Sequence, residues 1–183
     1  QERTDEYLKK FDREKTLKNL ISNTHPVIFD VGANVGSTLG EFKEWWPNST
    51  VHCFEPQEEC WGSLVKQAGQ YANNTAIINK CAAGSISNAN AIFYSHDITS
   101  GQSGFNKINT KSLDSVDLNK LSDFEAIHKY EQTLNHEREV KILRSDDYMG
   151  SSGIEHVDLL KIDTQGYEPE VLEGFGNKLN DVD

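Results

Sequence analysis

Apolar runs are short throughout this 183-residue sequence, and none approaches the ~20 residues of a membrane-spanning helix. No secretory leader is visible. Basic residues are scarce as well: 18 Lys and Arg stand against 29 Asp and Glu, a net charge of −11. That balance argues against nucleic acid or an anionic membrane as partner, because both need a basic footprint. Cys53, Cys60 and Cys81 are odd in number and lack metal-ligand spacing, so they read as reduced, buried thiols of a cytoplasmic protein. The six histidines show no His-x-x-x-His or Cys-paired pattern, and no metal site is expected. No internal repeat or low-complexity tract occurs. The length and 36% hydrophobic content fit a single domain. A start at Gln1 rather than Met reads as a trimmed chain.

What is present is organised around residues 26–36, P-V-I-F-D-V-G-A-N-V-G. Val27, Ile28, Phe29 and Val31 form a nearly continuous apolar run, as in a central strand buried on both faces of a parallel sheet. Asp30 interrupts it, and Gly32, Asn34 and Gly36 follow. Leu39, Phe42 and Trp46 then recur at helical spacing until Pro47 stops the helix. Strand, glycine-rich turn and helix make the first unit of a doubly wound, three-layer α/β sheet of Rossmann-like type. Ligands of such sheets sit beyond the carboxyl ends of the strands.

A dinucleotide site would have Gly-x-Gly-x-x-Gly, with a pyrophosphate on the helix N-terminus. Here the order is Asp-x-Gly-x-Asn-x-Gly, with a carboxylate before the first glycine. A carboxylate suits a ligand carrying a cationic amine and no phosphate, as S-adenosyl-L-methionine does. A second strand, residues 51–54, ends in Glu55, 19 residues after Gly36, where an acidic side chain accepts both ribose hydroxyls. Asp30 and Gly32 are therefore expected at the cofactor's amino-acid end, and Glu55 with Pro56 at its ribose. Gly36 serves a ligand or simply a tight turn, and Asn34 either contacts the ligand or holds a left-handed turn.

Residues 1–25 read as a polar N-terminal helix capped by Thr4, with a stripe of Tyr7, Leu8, Phe11, Leu17, Leu20 and Ile21. Residues 26–95 form the cofactor-binding half. A second helix carries Trp61, Leu64, Val65 and Ala68 inward, and a third strand at residues 76–78 runs into small residues around Cys81 and Ala82. Those residues leave room for an adenine or make a plain turn. Residues 91–95 and 140–143 read as two strands, expected to pair antiparallel, around a polar insertion spanning 96–139. Its second half contains a capping box, Ser122 to Glu125, with Leu121, Phe124, Ile127 and Leu134 inward. An insertion of this length is either a lid or partner surface, or else a solvated excursion. Residues 140–183 hold a fourth strand, Leu159 to Ile162, ending in Asp163, and a helix from Glu168 with Val171, Leu172, Phe175 and Leu179 inward.

Jointly, the blocks F-D-V-G-A-N-V-G-S (29–37), H-C-F-E-P-Q-E-E (52–59), N-K-C-A-A-G-S (79–85), S-D-D-Y (145–148) and D-L-L-K-I-D-T-Q-G-Y-E (158–168) resemble the FkbM-type family of S-adenosylmethionine-dependent methyltransferases. The resemblance covers residues 26–175. It implies a seven-strand methyltransferase sheet and methyl transfer to a hydroxyl of a sugar or secondary metabolite. Gln165 stands where the family has Glu, and Ser145 where it has Leu. Asp163 and Glu168 are the candidate catalytic residues. Asp163 contacts the methionine moiety, positions the acceptor, acts as base or caps the following helix; Glu168 has a site role or is a helix-start charge. His96, His128 and His136 are further candidate bases or plain surface residues.

The family's later strands are missing from this sequence, so Leu159 to Ile162 is expected to be a sheet edge open to self-association or to further strands. The expected acceptor is a small-molecule or carbohydrate hydroxyl. The alternatives are a non-catalytic binding module on the same sheet, which the missing strands and Gln165 favour, and a nicotinamide-dependent oxidoreductase.

Overall fold

Four parallel strands, β1 (Val27–Val31), β2 (Thr50–Phe54), β3 (Ala76–Asn79) and β7 (Leu159–Ile162), form the central sheet in the order β3-β2-β1-β7. The computed structural model describes residues 11–72, 75–97, 100–108 and 132–183. The sheet is flanked on one face by α2 (Ser37–Trp45) and α3 (Glu58–Ala68), and on the other by α4 (Ser145–Ser152) and α5 (Glu168–Glu173). This is the three-layer Rossmann-like architecture expected from the sequence.

Side chains alternate across each strand, and so sort into two cores. Ile28, Val51 and Cys53 pack with Leu39, Phe42 and Leu64. Phe29, Val31 and Phe54 pack with Met149, Val171 and Phe175. Cys53, Cys60 and Cys81 are free and buried. No helix among the described residues is long and apolar enough to cross a membrane.

A second, three-stranded sheet, β4 (Ala82–Ala83), β5 (Ala89–Ser95) and β6 (His136–Leu143), has the order β4-β6-β5, with β5 and β6 antiparallel. Strand β6 starts four residues before the expected Val140, because His136 to Glu139 are polar and exposed and carry no hydrophobic signal. Helix α4 was invisible to periodicity for a similar reason: only Ser145 and Met149 are buried along its eight residues.

Three expected helical stripes are corrected. Helix α1 (Arg13–Leu20) is capped by Asp12, whose side chain accepts from Lys15 N–H at 2.9 Å, and contains no buried residue. Leu20 is exposed, while Ile21 just beyond the helix is buried. In α3, Val65 is exposed and Cys60 joins Leu64 inside. Helix α5 ends at Glu173 and a 3-10 turn follows over Gly176–Asp181, so Val171 and Phe175 turn inward and Leu172 and Leu179 outward. Thr4, Tyr7, Leu8 and the capping-box helix with Leu121, Phe124 and Ile127 lie outside the described residues, as does His128; Leu134 is described and buried.

Among the described strands, β7 lies at one edge of the central sheet, beside β1, as expected. A parallel bridge between Val157 and Val182 engages its outer side just before Leu159.

One buried polar group gives the fold a pH dependence. His52 Nδ1 lies 2.8 Å from the Tyr148 hydroxyl, which also accepts from Asn79 Nδ2 at 3.2 Å. Burial lowers the His52 pKa to about 4. The folded value lies below the unfolded one, so the unfolded state binds more protons between them. This contribution is intact above pH 6.5 and lost as pH falls toward 4, up to about 3 kcal/mol. Denaturant unfolding of wild type and His52→Phe should therefore show a stability difference that narrows between pH 7 and about 4.5. A constant difference would mean that the ring titrates freely in the folded protein.

Candidate active site

The apolar strands β1, β2 and β7 all end at one rim, where their terminal residues meet a cleft. Gly32 and Asn34 line it from the turn after β1, Glu55, Pro56 and Gln57 from the end of β2, and Ala82 and Ala83 from β4. Asp163, Thr164, Gln165 and Tyr167 line it from the loop after β7. Phe93, Ser100, Gly101, Ser103 and Phe105 close the remaining side.

The turn after β1 is tightly determined. Gly32 has φ +78°, and a Cβ there would stand 2.0 Å from the backbone oxygen of Asp163. Asn34 also takes a left-handed φ, 48°. The amides of the turn are committed to the protein. Gly32 and Ala33 donate to Phe54 O at 3.0 and 3.1 Å, and Gly36 donates to Ala33 O at 2.9 Å. Asn34 N–H donates to Glu55 Oε2 at 2.7 Å, and Val35 N–H to Asn34 Oδ1 at 2.9 Å. A phosphate-binding turn does the reverse, aiming its N–H groups at the ligand.

Glu55 is 2% exposed. Its Oε1 accepts from Gln57 N–H at 2.8 Å, so each carboxylate oxygen has one backbone donor. Burial pushes its carboxyl above the usual range, and the hydrogen bonds from Gln57 and Asn34 oppose that. Gln57 donates through Nε2 to Ser100 O at 3.1 Å, while its buried Oε1 has no hydrogen-bond partner. An unpaired buried acceptor is costly, and a ligand donor in the cleft would relieve it.

Residues 100–106 form a strap across the cleft. At one end Asn34 Nδ2 donates to Ser100 Oγ at 3.1 Å. In the middle, Gly104 and Tyr94 exchange backbone hydrogen bonds of 2.8 and 3.1 Å. At the other end Asn106 Nδ2 donates to Gly166 O at 3.2 Å, and Phe105 stacks on Tyr167 with ring centroids 4.1 Å apart. The start of the polar insertion thus lies over the cleft.

The structure brings Gly32, Asn34, Glu55, Pro56, Ala82 and Asp163 together, but moves four expected site residues away from the lining. Asp30 is fully buried beneath the turn, with Lys161 Nζ 3.0 Å from its Oδ1. Gly36 packs against Leu64 and Gln67 of α3. Cys81 lies in the core with Phe29 and Phe54, and burial raises its thiol to about 11. Glu168 is turned into its own loop: its Oε1 accepts from Thr164 N–H at 3.0 Å, Thr164 Oγ1 at 3.1 Å and Gly166 N–H at 3.2 Å. Burial raises its pKa, but these hydrogen bonds prevail and leave it lowered. Glu168 organises the loop that presents Asp163. Asp163 itself is exposed, and its Oδ1 accepts from Gln165 Nε2 at 2.8 Å.

The two candidate histidine bases among the described residues, His96 and His136, also lie off the cleft. His96 is buried, its pKa lowered by burial, with Nδ1 accepting from Asn135 N–H at 3.0 Å. His136 faces solvent and pairs with Asp97 at 3.2 Å. Sequence reading overlooked Gln57, the strap residues Ser100 to Phe105, Tyr167 and Lys161. Lys161 alone had a legible signal: a lone lysine inside an apolar strand needs a buried partner in register.

Comparison with known proteins agrees with this geometry. The family model described as the methyltransferase FkbM domain matches residues 30–183. The chain is 24% identical over 162 residues to the 2-O-methyltransferase NoeI of Sinorhizobium fredii, covering 87% of this chain and 61% of that protein. It is 28% identical over 154 residues to the 31-O-demethyl-FK506 methyltransferase FkbM of Streptomyces tacrolimicus, covering 81% and 58%. It thus spans about three fifths of the length of these relatives. The crystal structure of methyltransferase FkbM from Methylobacillus flagellatus superposes with a TM-score of 0.50 at 14% identity, covering 83% of this chain and 29% of that one, a likeness of fold.

Proposed function

The chain belongs to the methyltransferase FkbM domain family, and from that premise we propose that its cleft binds S-adenosyl-L-methionine and serves methyl transfer to a hydroxyl oxygen of a sugar or other small-molecule acceptor. The charge of the lining carries this reading. Among the described residues the cleft holds the carboxylates of Glu55 and Asp163 and no Lys, Arg or His. With the amides of residues 32–36 already donated inward, the turn is no cradle for a phosphate. A dinucleotide with its doubly anionic pyrophosphate fits poorly. A nucleoside bearing a sulfonium and an ammonium fits well.

Glu55 holds the ribose hydroxyls, Gln57 Oε1 accepts from a nucleoside donor, and Gly32 and Asn34 contact the amino-acid end. Ala82 and Ala83 leave space for the base. When bound, the cofactor supplies a methyl group already activated by its sulfonium. The protein's own work is to exclude water, orient the acceptor and take up its proton. We assign the proton to Asp163, whose Oδ1 is held by the Gln165 amide. The strap covers the acceptor as it enters.

Calorimetric titration of the chain with S-adenosylmethionine, S-adenosylhomocysteine and NAD tests the reading. The two sulfur nucleosides should bind and NAD should not. Binding of NAD alone would overturn it. Asp163→Asn should leave the affinity for S-adenosylhomocysteine within about threefold while lowering turnover of a hydroxyl acceptor by about 10²–10⁴-fold, the usual weight of general-base catalysis.

A further inference from the structure

Asp30 and Lys161 stand directly opposite one another in the parallel pairing of β1 and β7, with Cys53 opposite Asp30 on β2. All three side chains point to the face that packs on α2 and α3. Asp30 is 0% exposed, and burial raises its pKa against the opposing pull of Lys161. The thiol of Cys53 is pushed up, so it stays neutral. The row thus contains one buried carboxyl group with the Lys161 ammonium beside it.

The pair's geometry is informative. Lys161 Nζ stands 3.0 Å from Asp30 Oδ1, but neither Asp30 oxygen receives an aligned hydrogen bond. The ammonium instead donates to Gly32 O at 2.8 Å and approaches Val31 O at 3.4 Å. A carboxylate in the core is costly and gains little stability even when paired. Its effect here is to hold a cation against two successive carbonyls of the ligand-binding turn.

We infer that Asp30 and Lys161 are positioning residues for the amino-acid end of the cofactor: Asp30 anchors Lys161, and Lys161 fixes the backbone carbonyls of Val31 and Gly32, two residues that line the cleft. This inference rests on the proposed function. Asp30 acts through Lys161 and does not touch the ligand.

The test compares S-adenosylmethionine with 5′-methylthioadenosine, which keeps the nucleoside and lacks the amino-acid end. The double variant Asp30→Asn with Lys161→Met removes both charges together, so no lone buried charge remains. It should bind S-adenosylmethionine at least tenfold more weakly than wild type and methylthioadenosine within twofold. Should the double variant not fold, the near-isosteric Asp30→Asn is measured alone, with a selective loss of at least threefold expected. Equal losses for both ligands would mean that the pair is merely structural, and unchanged affinity for both would also overturn the inference. Either result leaves the proposed function standing as long as wild type binds S-adenosylmethionine. Failure of wild type to bind either nucleoside would overturn the proposed function and this inference with it.

Discussion

Glu55→Ala should weaken binding of S-adenosylmethionine by about 1.5–3 kcal/mol, the scale of hydrogen bonds to a charged group. That corresponds to roughly 10- to 150-fold in Kd. The effect is large because the carboxylate is buried, lines the cleft and is held in place by a backbone donor on each oxygen. The same change leaves the N–H groups of Asn34 and Gln57 without their acceptor, so some stability is lost as well. Calorimetry below the unfolding transition, with circular dichroism as a check on folding, separates the two effects. An affinity equal to wild type in a folded Glu55→Ala protein would remove Glu55 from the site.

Gly32→Ala should be the most damaging single-methyl change in the described chain. A residue with a Cβ at φ +78° incurs about 1–2 kcal/mol of backbone strain. The methyl would also collide with Asp163 O at 2.0 Å, and overpacking of this kind costs about 1–3 kcal/mol. Together these make ~2–5 kcal/mol, a large part of the ~5–15 kcal/mol that holds a typical domain together. The melting temperature should fall by about 5–20 °C for a chain of this size. Relief comes only by parting the β1 turn from the β7 loop, so affinity for the cofactor should fall too. Gly62→Ala is the matched control. Gly62 lies within α3 with no atom within 4 Å of the added Cβ, and alanine there should stabilise by ~0.5–1 kcal/mol. Differential scanning calorimetry of the two variants decides the matter: a drop of less than about 2 °C for Gly32→Ala would show that the turn can move apart freely.

The sequence by itself determined the central sheet and the main elements of the rim that borders its cleft. Continuous apolar runs identify buried parallel strands, the carboxylates that end them are conspicuous, and Asp-x-Gly-x-Asn-x-Gly separates this turn from a phosphate loop. Those signals are local, each readable within about ten residues of chain. They placed Gly32, Asn34, Glu55 and Asp163 at one rim before any contact was known. The polar half of β6 and the short α4 left no such trace, because hydrophobic periodicity is silent where most side chains face solvent.

Only the tertiary structure decided which charged groups face the cleft and which serve the scaffold. Asp30 and Glu55 look alike in sequence, each a carboxylate at the end of an apolar strand. Asp30 lies within β1 opposite Lys161, whereas Glu55 lies one residue past β2 and faces the cleft. Glu168 reads as a site residue until its carboxylate is seen closing its own loop. The strap was legible only as part of a polar insertion with a lid as one reading, its anchor points hidden, since Ser100 reaches Asn34 across 66 residues and Asn106 reaches Gly166 across 60. Hydrogen bonds between residues so far apart are set by how the layers pack, and no local pattern encodes the partner.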